Sequence, residues 1–478
     1  MATPILLSAA NFELQSMYNE FSNYVLTPVN LMEMKHELVV EKMHDIQNRN
    51  SHILVEEIGK SVEGRSINMF SFGTGEIKVL LWSQMHGDEA TGTAGLLSVF
   101  YYFAKNFDTP FVQSIVHNLS IHAIVMLNPD GSERCRRQNI QGIDINRDAQ
   151  QLISPEGQIL KKMYEQIRPD FGFNLHDMSD NETVGDSGNL LSVALMAPPY
   201  NKTDEDSPTR IRAKKLVVII KKVLDNFIEG HVARYKADYM PRAFGDAFQK
   251  WNVSTVLIES GRSDNREPHY HSKLIYTALL TAFDAISSGY VDEADPNDYD
   301  RISVEGNKLF DLLIKNALIY SGRNIGPFKG DIGINISKKW ENGKTVFTGT
   351  VEEIGDLSIT SGRTVITSRD LVVLPGLILK SEESPEQSIH FGITTYIRNS
   401  DPRAIKISSF PKDGLINTDK ISLYTMFPAK SLNLDQNGII DIGMIADLLI
   451  FDAEEHHILS IKDLKYVIKN GEIVYKNI

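Results

Sequence analysis

The chain has one cysteine, Cys135, in 478 residues. No intrachain disulfide can form, and such cysteine usage fits a reducing compartment. Positive charge is also short: 49 Lys and Arg stand against 62 Asp and Glu, a formal charge of −13. That argues against non-specific binding to nucleic acid or an anionic membrane, both of which want a basic face. The first residues, MATPILLSAANFELQ, have no positively charged region and only a short apolar patch. No apolar run is long enough to span a bilayer. These features lead us to expect a cytoplasmic protein. Periodic repeats and low-complexity tracts are missing too. What remains is ordinary globular composition, 42% hydrophobic and 23% charged, at a length that suggests two or three domains.

Up to about residue 290 the pattern alternates. Lys78–Gln84, Leu119–Leu127, Phe171–Leu175, Leu190–Met196 and Val253–Ile258 read as short, nearly continuous apolar strands. Ala90–Lys105, Arg210–Glu229 and Ser272–Ile286 read as helices between them. Buried strands alternating with helices predict an α/β domain, with a mixed, largely parallel sheet and helices on both faces. The acidic, turn-rich stretch VDEADPNDYD, residues 291–300, marks a boundary. Domains over 1–298 and 304–478 follow. The second is strand-like pieces between Gly and Asp turns, which predicts an all-β domain.

Three ionisable residues sit just past the first apolar strand, in Gln84-Met-His86-Gly-Asp88-Glu89. They are poor choices for packing and good ones for binding. A His and a Glu three apart at a strand-to-helix turn can reach one point. Zinc accepts imidazole nitrogen and carboxylate oxygen, and a catalytic zinc keeps three protein ligands. The best third ligand is His176, at the end of the strand FNLH. Sites in open α/β sheets form beyond the carboxyl ends of strands. Hydrolysis also needs a proton acceptor, and Glu259 ends a third buried strand in STVLIES. His36, His44, His231 and His456-His457 are expected to be solvated or merely packed.

Between these strands runs Asn128-Pro-Asp-Gly131, then Arg137-Gln-Asn139, Gly142, Asp144, Asn146-Arg147 and Asp148. The ordered set HxxE, NPDG, RxNxxGxDxNR, strand-end His and strand-end Glu resembles the zinc metallocarboxypeptidases. The lead-in EIGKSVEGRSI, residues 57–67, is similar as well. The resemblance covers roughly residues 50–290. It implies one zinc per chain on His86, Glu89 and His176, with Glu259 as general base and proton shuttle. It implies that Arg137 polarises the scissile carbonyl, that Asn146 and Arg147 hold the substrate's terminal carboxylate, and that Tyr239 is a mobile substrate-binding tyrosine, with Tyr235 nearby. A planar, permanently charged guanidinium suits a carboxylate or an oxyanion.

Asp88 stands where pancreatic-type members of that family carry an arginine. It implies altered substrate subsites. Asp148 replaces a common second Asn. Asp177, directly after His176, would hydrogen-bond behind the metal, repel acidic substrates or simply be a solvated turn acid. Gly245, in the stretch 242–246 where the family commonly sets specificity, offers no charge for a side-chain pocket. The tetrapeptide Gly185-Asp-Ser-Gly188 resembles a serine-protease nucleophile loop, but it lies in an α/β region and is expected to be a polar loop.

The second half resembles an amidohydrolase without its centre. LFDLLIKNALI (309–319), the Gly330–Ile336 stretch and LVVLPGLI (371–378) look like the opening strands of that superfamily's small β-sandwich. Residues 425–435, 438–452 and 467–475 look like its closing strands. Only residues 379–420 lie between, far short of the ~250 needed for a (β/α)₈ barrel. No HxH follows the PGLI segment. The expected second domain is therefore a sandwich-like module without catalysis that packs on the first domain, shapes its cleft or mediates self-association.

The expected activity is removal of a C-terminal residue from a peptide or peptide-like amide that carries a free carboxylate. A deacylase of N-acyl amino acids or a cell-wall peptide amidase on the same scaffold, and an inactive binding module, are the rivals.

Overall fold

The computed structural model describes residues 13–178, 181–263, 265, 267–319, 328–341, 344–367 and 371–375, with short strand segments after residue 414. The chain divides into two compact units, residues 1–306 and 307–478. Among the described residues, no helix is long and apolar enough to cross a membrane.

The first unit carries strands β1 (Leu54–Lys60), β2 (Ser66–Phe72), β3 (Ile77–Ser83), β4 (Leu119–Ile124), β5 (Phe171–Asp177), β6 (Glu182–Val184), β7 (Val193–Met196), β8 (Val232–Arg234) and β9 (Ser254–Ser260). All but β6 form one sheet in the order β1-β2-β4-β3-β5-β9-β7-β8. Its centre, from β4 through β3 and β5 to β9, is parallel. The β1–β2, β2–β4 and β7–β9 ladders are antiparallel. A mixed α/β sheet is thus present.

Helices cover both faces. They are α1 (His36–Arg49), α2 (Thr91–Lys105), α3 (Pro110–Asn118), α4 (Pro129–Glu133), α5 (Pro155–Ile167), α6 (Pro208–Ile228), α7 (Phe244–Lys250) and α8 (Tyr270–Ser287). On one face Val79, Leu81, Phe173 and Ile258 pack with Phe100 of α2, Leu216 of α6 and Leu279 of α8. On the other, Leu80 and Trp82 pack with Leu160 of α5 and Phe248 of α7. This two-sided burial is why β3 reads as an unbroken apolar run, Val79-Leu-Leu-Trp82: successive side chains enter opposite cores. The Trp82 and Phe248 rings lie 4.3 Å apart between centroids.

Helix starts follow a local rule. α3, α5 and α6 each begin with Pro after a Thr or Ser whose oxygen accepts a backbone N–H of the first turn. The hydroxyl satisfies one orphan donor, and proline sits where no N–H is needed.

The second unit runs through β10 (Glu305–Ile319), β11 (Phe328–Glu341), β12 (Lys344–Gly355), β13 (Ser361–Thr367), β14 (Leu371–Pro375), β15 (Leu415–Ile416), β16 (Leu448–Asp452), β17 (Leu459–Ser460), β18 (Leu464–Lys469) and β19 (Glu472–Lys476). One sheet follows the order β12-β11-β10-β14-β16-β18-β19, with β13 also on β10, and β15 pairs β17. Most of residues 376–447, including the 379–420 and 425–435 segments expected between and within the sandwich halves, lies outside the described residues.

Candidate metal centre and active site

The loop after β3 is built to turn sharply. Gln84 has a positive φ of 50°. Its amide donates to the Gly87 carbonyl (2.9 Å) and to Ser132 Oγ (3.0 Å). Gly87 has no alternative there, since a Cβ would lie 2.1 Å from the Gly131 carbonyl carbon. The NPDG turn presses against it. Asn128 Oδ1 accepts from Gly131 N–H, while its Nδ2 donates to the carbonyls of Met85 and Arg137. The two motifs therefore fix one another.

The result is a convergent donor set. His86 Nδ1 is 2.7 Å from Glu89 Oε1, and His176 Nδ1 is 2.7 Å from Glu89 Oε2. The two Nδ1 atoms are 3.1 Å apart. His86 and His176 are only 2% and 3% exposed. Among the described residues these three form the group able to hold a metal ion, with donor atoms within 4.8 Å of one another. Two imidazoles and a carboxylate match the preference of zinc, so the residues present fit that ion. Burial pushes His176 down, which keeps its ring neutral as a ligand must be. Burial alone would raise Glu89, but the neighbouring rings hold its carboxyl low.

Other groups orient these donors. Asp144 Oδ1 lies 3.1 Å from His86 Nε2, and its Oδ2 accepts from Arg137 Nε at 3.1 Å. A carboxylate behind a metal-facing histidine fixes the ring's tautomer and angle. Arg137 also donates to Glu89 Oε1 (3.3 Å). Asn146 Nδ2 lies 3.3 Å from His176 Nε2, and its Oδ1 accepts from Phe244 N–H at the start of α7.

Glu259 arrives from the sheet. Phe173, Leu175, Val256 and Ile258 fill the first core. Strand alternation therefore turns Asn174, His176, Leu257 and Glu259 to the opposite side. His176 pairs with Glu259 in the parallel ladder. Burial, then the charges of Glu89 and Asp177, push Glu259 well above the usual carboxylate range. Those surroundings favour the protonated form of its carboxyl.

A cleft of about 250 Å³ collects His86, Glu89, Arg137, Asn146, Arg147, His176 and Glu259 on its lining. Tyr239 is half-buried and does not line it, whereas Tyr235 does. Tyr235 follows the end of β8 and donates its N–H to Leu195 O, which holds it at the sheet edge. Asp88 is exposed and off the lining. Asp148 turns away, accepting from Ile153 N–H, Ser154 N–H and Ser154 Oγ. Asp177 accepts from the Thr91 N–H and hydroxyl at the start of α2, and also borders the cleft. Ser187 of the GDSG turn donates to Val184 O, away from the lining.

The sequence alone assigned no role to Asp144 or Asn174. Asp144 stands within the quoted motif, but only geometry shows it bridging His86 and Arg137. Asn174 is recognisable afterwards, two residues before His176 on one strand face.

Residues 39–239 match the family model described as zinc carboxypeptidase. Carboxypeptidase D of Homo sapiens is 34% identical over 108 residues, 19% of this chain and 8% of that protein. Carboxypeptidase E of Caenorhabditis elegans is 38% identical over 120 residues, 20% of this chain and 25% of that protein. The chain thus spans a quarter or less of the length of these relatives. A metallo-carboxypeptidase structure from Burkholderia cenocepacia superposes with TM-score 0.43 and 19% identity, covering 53% of this chain and 69% of that one. Residues 39–239 carry a zinc carboxypeptidase domain.

Proposed function

We propose that the first unit is a zinc-dependent hydrolase that removes a C-terminal residue from a peptide or peptide-like amide. The observation that carries this is the convergence of His86, Glu89 and His176 in a cleft that also holds Glu259, Arg137, Asn146 and Arg147. His86, Glu89 and His176 would hold the zinc ion, which supplies Lewis acidity and acidifies water when bound.

The chain's own groups then have distinct work. Glu259 removes a proton from the attacking water and returns it to the leaving amine. Arg137, braced by Asp144, aims its guanidinium at the oxygen that becomes negative. Such a donor contributes about 3 kcal/mol to the transition state in comparable sites. Arg147, its Nη1 on the Asn146 carbonyl (2.8 Å), pairs with the substrate's terminal carboxylate alongside the Asn146 amide. That pairing explains why a free C-terminus would be required.

The test is release of amino acids from a library of peptides and N-acyl amino acids by wild type and Glu259→Gln, with and without added zinc. Zinc-dependent release lost in the variant supports the reading. Stoichiometric zinc without release from any carboxylate-ended substrate overturns it.

A further inference from the structure

Arg137 leaves an unusual stretch of chain. α4 ends at Glu133, Cys135 then takes a positive φ of 46°, and Arg137 follows two residues later. The left-handed conformation is unfavourable for a residue with a Cβ and persists where its surroundings hold it. The last carbonyls of a helix also carry partial negative charge. One side chain answers both conditions. Lys35 Nζ donates to Ser132 O (2.8 Å), Glu133 O (3.3 Å) and Cys135 Sγ (3.1 Å).

The neighbours of Lys35 tighten the contact. His36 N–H donates to Glu133 Oε1 (3.0 Å), and the Cys135 thiol donates to Met32 O (3.6 Å). Ser132 Oγ donates to Met34 O (2.9 Å) and accepts from Gln84 Nε2 (3.0 Å). At the other side the His36 ring meets β2, with Nε2 2.9 Å from Ser66 O. All of these clamping residues, 32–36, precede the zinc carboxypeptidase domain of residues 39–239.

The clamp reaches both arms of the metal centre. Through Ser132 it holds Gln84, whose amide also fixes the carbonyl of Gly87, the residue after His86. Through Cys135 it sets the path of the backbone into Arg137. The Arg137 carbonyl receives Gly87 N–H (3.3 Å) and Asn128 Nδ2 (3.2 Å). From that fixed point the guanidinium extends to Asp144 and Glu89. Its side chain is 40% exposed, so packing restrains it little and its aim depends on where the backbone starts.

We propose that Lys35 is a positioning residue for hydrolysis: by binding the end of α4 and Cys135, it fixes the backbone from which Arg137 reaches the oxygen that becomes negative. Lys35 itself touches no substrate. The proposal rests on the carboxypeptidase reading, which gives Arg137 that work. Three acceptors converge on one point, and an ammonium offers three N–H donors. Methionine has a similar length but donates nothing. A catalytic group displaced by about 1 Å lowers the rate by up to roughly 10²-fold.

The experiment uses full-length, zinc-loaded wild type, Lys35→Met, Arg137→Met and the double variant. The substrate is whichever peptide or N-acyl amino acid of the library wild type hydrolyses fastest. Lys35→Met should lower kcat by about 10–100-fold, with KM little changed and zinc still at one per chain. In the Arg137→Met background the same substitution should change kcat by less than about twofold, because the two residues act in series. Hydrogen exchange reads the contact without any substrate. Amides of residues 131–139, among them those of Arg134, Cys135 and Arg136, should exchange about tenfold faster in Lys35→Met, while β3, β5 and β9 keep their protection. Should Lys35→Met fail to fold, Lys35→Gln decides by the same comparisons. Unchanged kcat, an equal kcat loss with and without Arg137, loss of zinc, or faster exchange across the whole sheet overturns the positioning role and leaves the carboxypeptidase reading standing. Zinc-loaded wild type that releases nothing from the library overturns both.

Discussion

His176 and Glu259 are partners in the β5–β9 ladder and project from the same face of the sheet. One side chain belongs to the metal-binding group and the other to no part of it. Glu259→Gln should therefore lower kcat by about 10²–10⁴-fold, the usual worth of a general base, and leave zinc content at one per chain. Metal analysis beside steady-state kinetics checks this. Loss of zinc in the variant would make Glu259 a ligand instead.

Asp144 touches His86 and Arg137 at once. Asp144→Asn should weaken zinc affinity by about 10–100-fold while leaving the circular dichroism unchanged. Chelator competition measures it. Unchanged affinity would show that His86 is oriented without this contact.

Asp148 is buried and accepts three hydrogen bonds at the entrance to α5. Removing it leaves those donors facing no acceptor. Asp148→Ala should cost roughly 2–3 kcal/mol in chemical denaturation. KM should rise as well, since Arg147 is the preceding residue. A cost within 0.5 kcal/mol, the range of about ±0.5 expected of bland surface changes, would contradict the anchoring role.

Asp284, on α8, has its carboxyl raised to about 6 by burial and then by the nearby charge of Glu13, from an ordinary 3.8. The folded state holds this proton more tightly than the unfolded state. Linkage then makes the group cost stability as pH rises from about 4 to 6, with the full penalty above pH 6 and none below about 4. Asp284→Asn should stabilise the protein at pH 7 by roughly 1–2 kcal/mol, allowing for partial solvent access, and have no effect near pH 3.5. Denaturant midpoints at the two pH values decide. An equal shift at both would remove ionisation as the cause.

Much of the first unit could be read from the chain. β3, β5 and β9 announce themselves because both their faces are buried, and the ordered motifs name the residues that line the cleft. Apolar periodicity could not reveal the β1–β2 hairpin, where β1 is half exposed at the sheet edge. Nor could it tell Tyr235 from Tyr239, since loop conformation after β8 decides which ring reaches the cleft. Asn174 and Asp246 were silent for another reason. An isolated Asn or Asp carries no spacing signal, and its surroundings are defined only once the chain is folded. The closing strands of the second unit stand on sequence likeness alone where residues 417–447 are concerned.

The ladder between β5 and β9 also divides what can vary from what cannot. His176 and Glu259 are carried by central strands, where a shift of one residue would turn both toward the opposite core. Other lining residues of the cleft are different: Met240, Gly245 and Asp246 come from a loop and the first turn of a short helix. Residues 237–246 can therefore vary without turning His176 or Glu259 away from the cleft. A designer reshaping the cleft's lining would recast that loop and leave the strands alone.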